Sequence, residues 1–207
     1  MNHFGLIIKK SKFGLNLTRD NYIHPSRKST LANKIYDDEY IENHTKCALF
    51  NFDLNMRFFS HLDADEFNNY LDKFLNTYPQ FIPINDLNKY LYSAGYYILV
   101  LDEYKQIYLG TTSHIGKRIR EHWTLQKAFD RLIFGSVFTS RLSIDSFRPL
   151  DTSRIYIFET PDIYKNENNF ISFFPDKFIL NRTAGGLQPN GLSSAIENRK
   201  YRDLSKL

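Results

Sequence analysis

A single cysteine, Cys47, stands among 207 residues. That excludes an intramolecular disulfide and any zinc site built on several thiolates. It suits a reducing compartment such as the cytoplasm. Long apolar runs are also missing, and no stretch approaches the roughly 20 residues that cross a bilayer as a helix. The apolar start is brief, and Lys9, Lys10 and Lys12 follow it instead of preceding it, the reverse of a secretory signal. There is no internal repeat, no phosphate-binding Walker loop, no dinucleotide glycine fingerprint and no Gly-x-Ser-x-Gly elbow. Asn43-His44 lacks the further cysteine and histidine partners of a zinc site. His61, Asp63 and Asp65 cluster, but they read as the start of a helix.

Apolar residues, by contrast, make up 42% of the chain and aromatics 16%, enough for a real core. The net charge of +4 is unevenly shared. Residues 1–94 hold 11 basic and 11 acidic side chains, whereas residues 95–207 hold 16 and 12. A polyanionic partner is therefore expected at the second half.

Patterning divides the chain near Gly95. In the first half, short strands are expected at Gly5 to Ile8 and Leu15 to Leu17. Phe50, Phe52, Leu54, Met56 and Phe58 alternate with polar residues and predict a half-buried strand over 49–59. Asp63 with Glu66 predicts a helix start, and Phe67, Tyr70, Leu71, Phe74, Leu75 and Tyr78 mark its apolar face. A shorter helix is expected from Asp86 to Tyr92. The result is a small α+β unit, residues 1–94, with specificity or assembly as its task. In the second half, Tyr96 to Leu101 and Ile107 to Leu109 predict a hairpin. A helix follows from Ile115 to about Phe134, in one or two pieces. A strand is expected from Arg154 to Phe158, then a helix opened by Pro161 and ended before Pro175. Ser194 and Glu197 predict a last, short basic helix carrying Arg199, Lys200, Arg202 and Lys206, with the first three as DNA contacts.

The chemistry concentrates at the hairpin. Gly95-Tyr96-Tyr97, then ten residues, then Tyr108-Leu109-Gly110 resembles the two signature triplets of the GIY-YIG nucleases. Arg118 comes ten positions after Tyr108, and His122 four after that. Glu167 and then Asn181, just before Gly185-Gly186, complete the set. The resemblance covers about residues 95–190. In an antiparallel hairpin centred near residues 102–104, Tyr97 and Tyr108 fall close to opposite each other and share a face. Arg118 and His122, at i and i+4, share one side of a helix.

The resemblance implies an α+β fold with a small three-stranded antiparallel sheet flanked by helices. It also implies a metal-dependent DNA endonuclease using Mg²⁺ or Mn²⁺, of restriction, phage-defence or mobile-element type, in some family members a homodimer. Glu167 would be the metal ligand and Arg118 the phosphate clamp. One of Tyr97 and Tyr108 would take or relay the proton of the attacking water, with His122 or Lys117 lowering its pKa. Asn181 would orient the glutamate or hold the loop. Glu159, at the end of a strand, is a rival for the metal. The alternatives are a catalytically silent nucleic-acid-binding module of the same fold, or an RNA-cutting toxin.

Overall fold

The computed structural model describes residues 1–9, 14–30, 33–185, 196–197 and 199–205. The fold is α+β. Its helices are α1 (Arg19–Tyr22), α2 (Asp38–Ser60), α3 (Ala64–Thr77), α4 (Ile115–Thr124) and α5 (Glu167–Phe173). Strands β1 (Asn2–His3) and β2 (Leu6–Ile7) form a small hairpin. Strands β3 (Ile82–Ile84), β4 (Gly95–Leu101), β5 (Gln106–Thr112) and β6 (Arg154–Glu159) form one antiparallel sheet in the order β3-β6-β4-β5. Among the described residues the sheet thus has four strands, not the expected three, because β3 from the first half pairs with β6 along its edge. No described helix is long and apolar enough to cross a membrane.

β4 is buried along its whole length because it lies between two partners with a core on each face. Tyr97, Leu99 and Leu101 point into one core, roofed by α2 and α4 through Ala48, Phe52, Phe59, Ile115, Ile119 and Trp123. Tyr96, Ile98 and Val100 point into the other, roofed by α3 and α5 through Phe67, Leu71, Phe74, Phe170 and Ile171. This two-sided burial is why the strand reads as a continuous apolar run. It also means that residues on either side of position 94 share one sheet and both cores.

The strand expected over 49–59 is instead the middle of the 23-residue helix α2. Asp37 caps it by accepting from the Tyr40 amide, and Asp38 and Glu39 favour its positive end. Ala48, Asn51, Phe52, Asn55 and Phe59 are its buried residues, which is a helical spacing. Asn51 and Asn55 are buried because their amides donate to the carbonyls of Val137 and Ser140. Burial does not follow the period of two: Phe50, which fits it, is 46% exposed, while those two polar residues face inward. Leu15 to Leu17 is loop.

The helix after Ser60 forms as expected, Asp63 capping the Glu66 amide at 2.7 Å. Asp86 caps only a 3₁₀ turn, Leu87–Tyr90. The helix from Ile115 stops at Thr124 and is followed by a 3₁₀ turn at Phe129–Arg131. The helix expected from Pro161 begins only at Glu167, after a turn in which Tyr164 takes a left-handed φ of 73°. Gly186 and Ser194 lie outside the described residues.

Candidate active site

Tyr97 pairs across the hairpin with Gly110, and Leu99 with Tyr108. The two tyrosines are therefore diagonal neighbours, one step from the expected register, and they do share a face. Their ring centroids are 6.2 Å apart. Gly110 makes this possible. A Cβ there would stand 2.5 Å from the Tyr97 hydroxyl, so only glycine leaves room for the phenol to lie across β5.

α4 begins three residues after β5 and packs against the same face. Ile115, Ile119 and Trp123 anchor it, and the same buried stripe brings in His122, which is 1% exposed. The His122 ring lies between two partners. Nε2 is 2.7 Å from the Tyr97 hydroxyl and Nδ1 is 2.6 Å from Asp145 Oδ1. Proton positions follow from chemistry. The hydrogen bond from His122 holds the Asp145 carboxyl below its ordinary value despite burial, so Asp145 is ionised and can only accept. Nδ1 must then carry a proton. Burial lowers the His122 pKa more than Asp145 raises it, so the ring is neutral near pH 7 and Nε2 accepts the Tyr97 O–H. Tyr97, His122 and Asp145 form a directed chain in which each group orients the next, the arrangement that elsewhere activates a hydroxyl.

Burial, and for Tyr97 the nearby Tyr108, raises the phenol pKa values, and Arg118 offsets this only in part. Neither phenol is a standing phenolate, and His122 is not among the groups that lower their pKa; it accepts a hydrogen bond from Tyr97. Lys117 does not take the supporting role expected of it. Its side chain is exposed and its ammonium lies 4.7 Å above the Tyr92 ring.

Tyr108, Arg118 and His122 line a pocket of about 220 Å³, together with Lys127, Ser143, Ile144, Asp145, Leu180, Asn181, Arg182 and Thr183. Arg118 is 41% exposed and donates to Glu121 at 3.0 Å. Burial weakens its charge, but Tyr97, Glu121, Tyr108 and Asp145 together hold it firmly protonated. Asn181 does not reach the glutamate. It clasps β5, accepting from the Leu109 amide at 3.1 Å and donating to the Leu109 carbonyl at 2.8 Å. Leu180 N bonds Ile107 O beside it, and the buried Arg141 donates to the carbonyls of Ile179 and Asn181. The segment 179–181 thus braces the strand that carries Tyr108.

Glu167 is the first residue of α5 and is partly exposed. It is outside the pocket lining, yet its charge acts on both phenols. A Cβ at Gly185 would come within 2.6 Å of its Cγ, so the glycine lets the chain pass directly over it. Among the described residues no three His, Cys, Asp or Glu side chains converge as a metal cage. A lone carboxylate fits Mg²⁺ or Mn²⁺, which leave most positions to water and phosphate. Glu159 ends β6, exposed and paired through its backbone with Gly95.

The residues expected as a basic DNA-contacting helix are not such a surface. Only Ile196 and Glu197 are helical among the described residues there, and Arg199 instead bridges Thr183 as extended chain. Its guanidinium stacks on Phe134 and Tyr201. Lys200 pairs with Asp176 at 3.2 Å. Arg202 is 5% exposed and donates to Gln106 and to the carbonyls of Asp176, Lys177 and Ile179. A buried guanidinium needs such acceptors, so these side chains pin the C-terminal segment to the body.

Asp145 and Lys127 have no counterpart in the sequence reading. Both come from the irregular stretch between α4 and β6, where no periodicity marks a position. Searches against protein families, curated proteins and solved structures return no match.

Proposed function

We propose that this protein is a metal-dependent DNA endonuclease, a phosphodiester hydrolase of GIY-YIG type. The observation that carries the reading is the Tyr97–His122–Asp145 chain beside a pocket lined by Tyr108 and Arg118. Strands β6-β4-β5 would correspond to the family's three-stranded sheet, with β3 as an addition.

Water attacks phosphorus and the bond to the leaving oxygen breaks. Tyr108, the phenol lining the pocket, takes the water's proton as its own passes to Tyr97, and that of Tyr97 passes to His122 Nε2. A neutral histidine is the right terminus for this relay, and Asp145 stabilises the imidazolium that results. Arg118 balances charge developing on the phosphoryl oxygens. Glu167 would hold the divalent ion, whose chemistry is neutralisation of charge on the phosphate and the leaving oxygen.

The test is cleavage of defined plasmid and oligonucleotide DNA. Activity is expected with Mg²⁺ or Mn²⁺ and lost with EDTA. Arg118→Ala should cut about 10²–10³-fold more slowly. Glu167→Gln should stay folded and bind DNA without cutting. A dead Glu159→Gln beside a fully active Glu167→Gln would move the ligand to the end of β6. DNA binding without any cleavage would identify a silent binding module, and cleavage of RNA alone an RNase.

A further inference from the structure

The pocket beside the relay holds more positive charge than the chemistry above uses. Among the described residues Arg118, Lys127 and Arg182 line it against one carboxylate, Asp145. That carboxylate is already engaged, with Oδ1 on His122 at 2.6 Å and Oδ2 accepting from Ser143 at 3.4 Å. Arg182 is fixed in the wall, since it donates to the carbonyls of Arg141, Arg131 and Leu132.

Lys127 is different. Its side chain is 25% exposed, its nearest carboxylate oxygen is 3.9 Å away, and its ammonium makes no hydrogen bond among the described residues. Burial lowers its pKa, and Arg182 adds to this. A half-buried ammonium with three donors to satisfy is costly unless an anion completes it. Ser143 and Thr183 line the same space.

We propose that the Lys127 end of this pocket is a second phosphate subsite, seating the phosphodiester next to the one cleaved, with Lys127 as its charged ligand. The proposal rests on the nuclease reading. The anion is the backbone of a DNA strand: the relay side of the pocket faces the scissile phosphate, and a continuous strand presents the next one a single nucleotide away.

Binding of a defined duplex is measured across a salt series in EDTA, where no cutting occurs, for the wild type, Lys127→Gln and Lys127→Arg. Each phosphate contact contributes about 0.9 to the slope of log K against log salt on B-DNA. Lys127→Gln should lower that slope by about 0.9 and weaken binding equally on unrelated sequences, while Lys127→Arg retains it. Lys46→Gln, which removes an exposed lysine paired with Glu42, is the control and should leave the slope unchanged. An unchanged slope in Lys127→Gln overturns the subsite. If the slope is unchanged while the wild type cuts DNA with Mg²⁺, the nuclease reading survives alone. A lowered slope in a protein that never cuts keeps the subsite and removes the nuclease. A slope change confined to single-stranded RNA overturns the assignment to DNA.

Discussion

Tyr96 and Tyr97 are neighbours on the central strand, both buried, and they end in opposite kinds of site. Tyr96 points into the core between the sheet, α3 and α5. Its hydroxyl donates to Asp162 O at 2.8 Å and accepts from Asn166 N at 3.0 Å. Those partners are backbone, so the group is satisfied and can only hold a loop in place. Tyr97 points to the α4 side and meets an imidazole backed by a carboxylate. The difference lies in what covers each face. The α3–α5 face is closed by aromatic rings, among them Phe74 and Phe81, each packed edge to face with Phe170. The α4 side gives onto a pocket with charged walls. One strand thus separates a core closed by aromatic rings from one that borders a charged pocket, and the alternation of its side chains makes the division sharp.

The largest expected effect tests whether both faces depend on the first half of the chain. A fragment of residues 95–207 lacks β3 and the roofs that α2 and α3 provide for the two cores. It should be insoluble or give a far-UV spectrum without cooperative melting. A soluble fragment that melts cooperatively would show that residues 1–94 are a separable module after all.

Between the two tyrosines the contrast is one of kind. On the proposed mechanism, Tyr97→Phe cuts the relay and should slow cleavage by roughly 10²–10⁴-fold, with little change in melting temperature. Tyr96→Phe should keep cleavage within a few-fold but leave the Asp162 carbonyl and the Asn166 amide without their partner. That costs about 1–3 kcal/mol of stability. Equal activity losses in the two variants would erase the distinction drawn between the faces.

The smallest effect concerns pH. His122 has its pKa lowered from 6.5 mainly by burial, so the unfolded chain takes up this proton before the folded one. Its contribution to stability should therefore decline as pH falls below about 6.5, levelling off once the folded ring is protonated. Asp145 acts in a lower window, its stabilisation present above 3.8 and lost as pH falls through its depressed folded value. Cleavage should follow the neutral form of His122, with an acid limb below pH 6.5. Asp145→Asn removes the group that raises the His122 pKa, so its limb should lie lower still, on a reduced plateau. A limb that stays in place would mean that Asp145 does not act through the histidine.

Local information was enough for the hairpin, for the helix after Asp63, and for Arg118 and His122 on one side of α4. Each rests on spacing along a single element or on one turn. It was not enough for α2, where a period of two among phenylalanines hid a helix whose buried asparagines bond to a distant loop. It also did not identify Asp145 or Lys127, which reach the site only because the stretch between α4 and β6 folds back over α4. Nor did it foresee that Arg202 would be buried, since a basic cluster near a chain end reads the same whether water or backbone carbonyls receive its protons. The sequence alone marked Tyr97, Tyr108, Arg118 and His122 as side chains suited to acid–base or phosphate chemistry, because that is a property of side-chain type and of short-range register. Only the tertiary structure decided which of them meet, because hydrogen bonds between residues 23 and 25 positions apart, as at His122, depend on how elements pack and not on any local period.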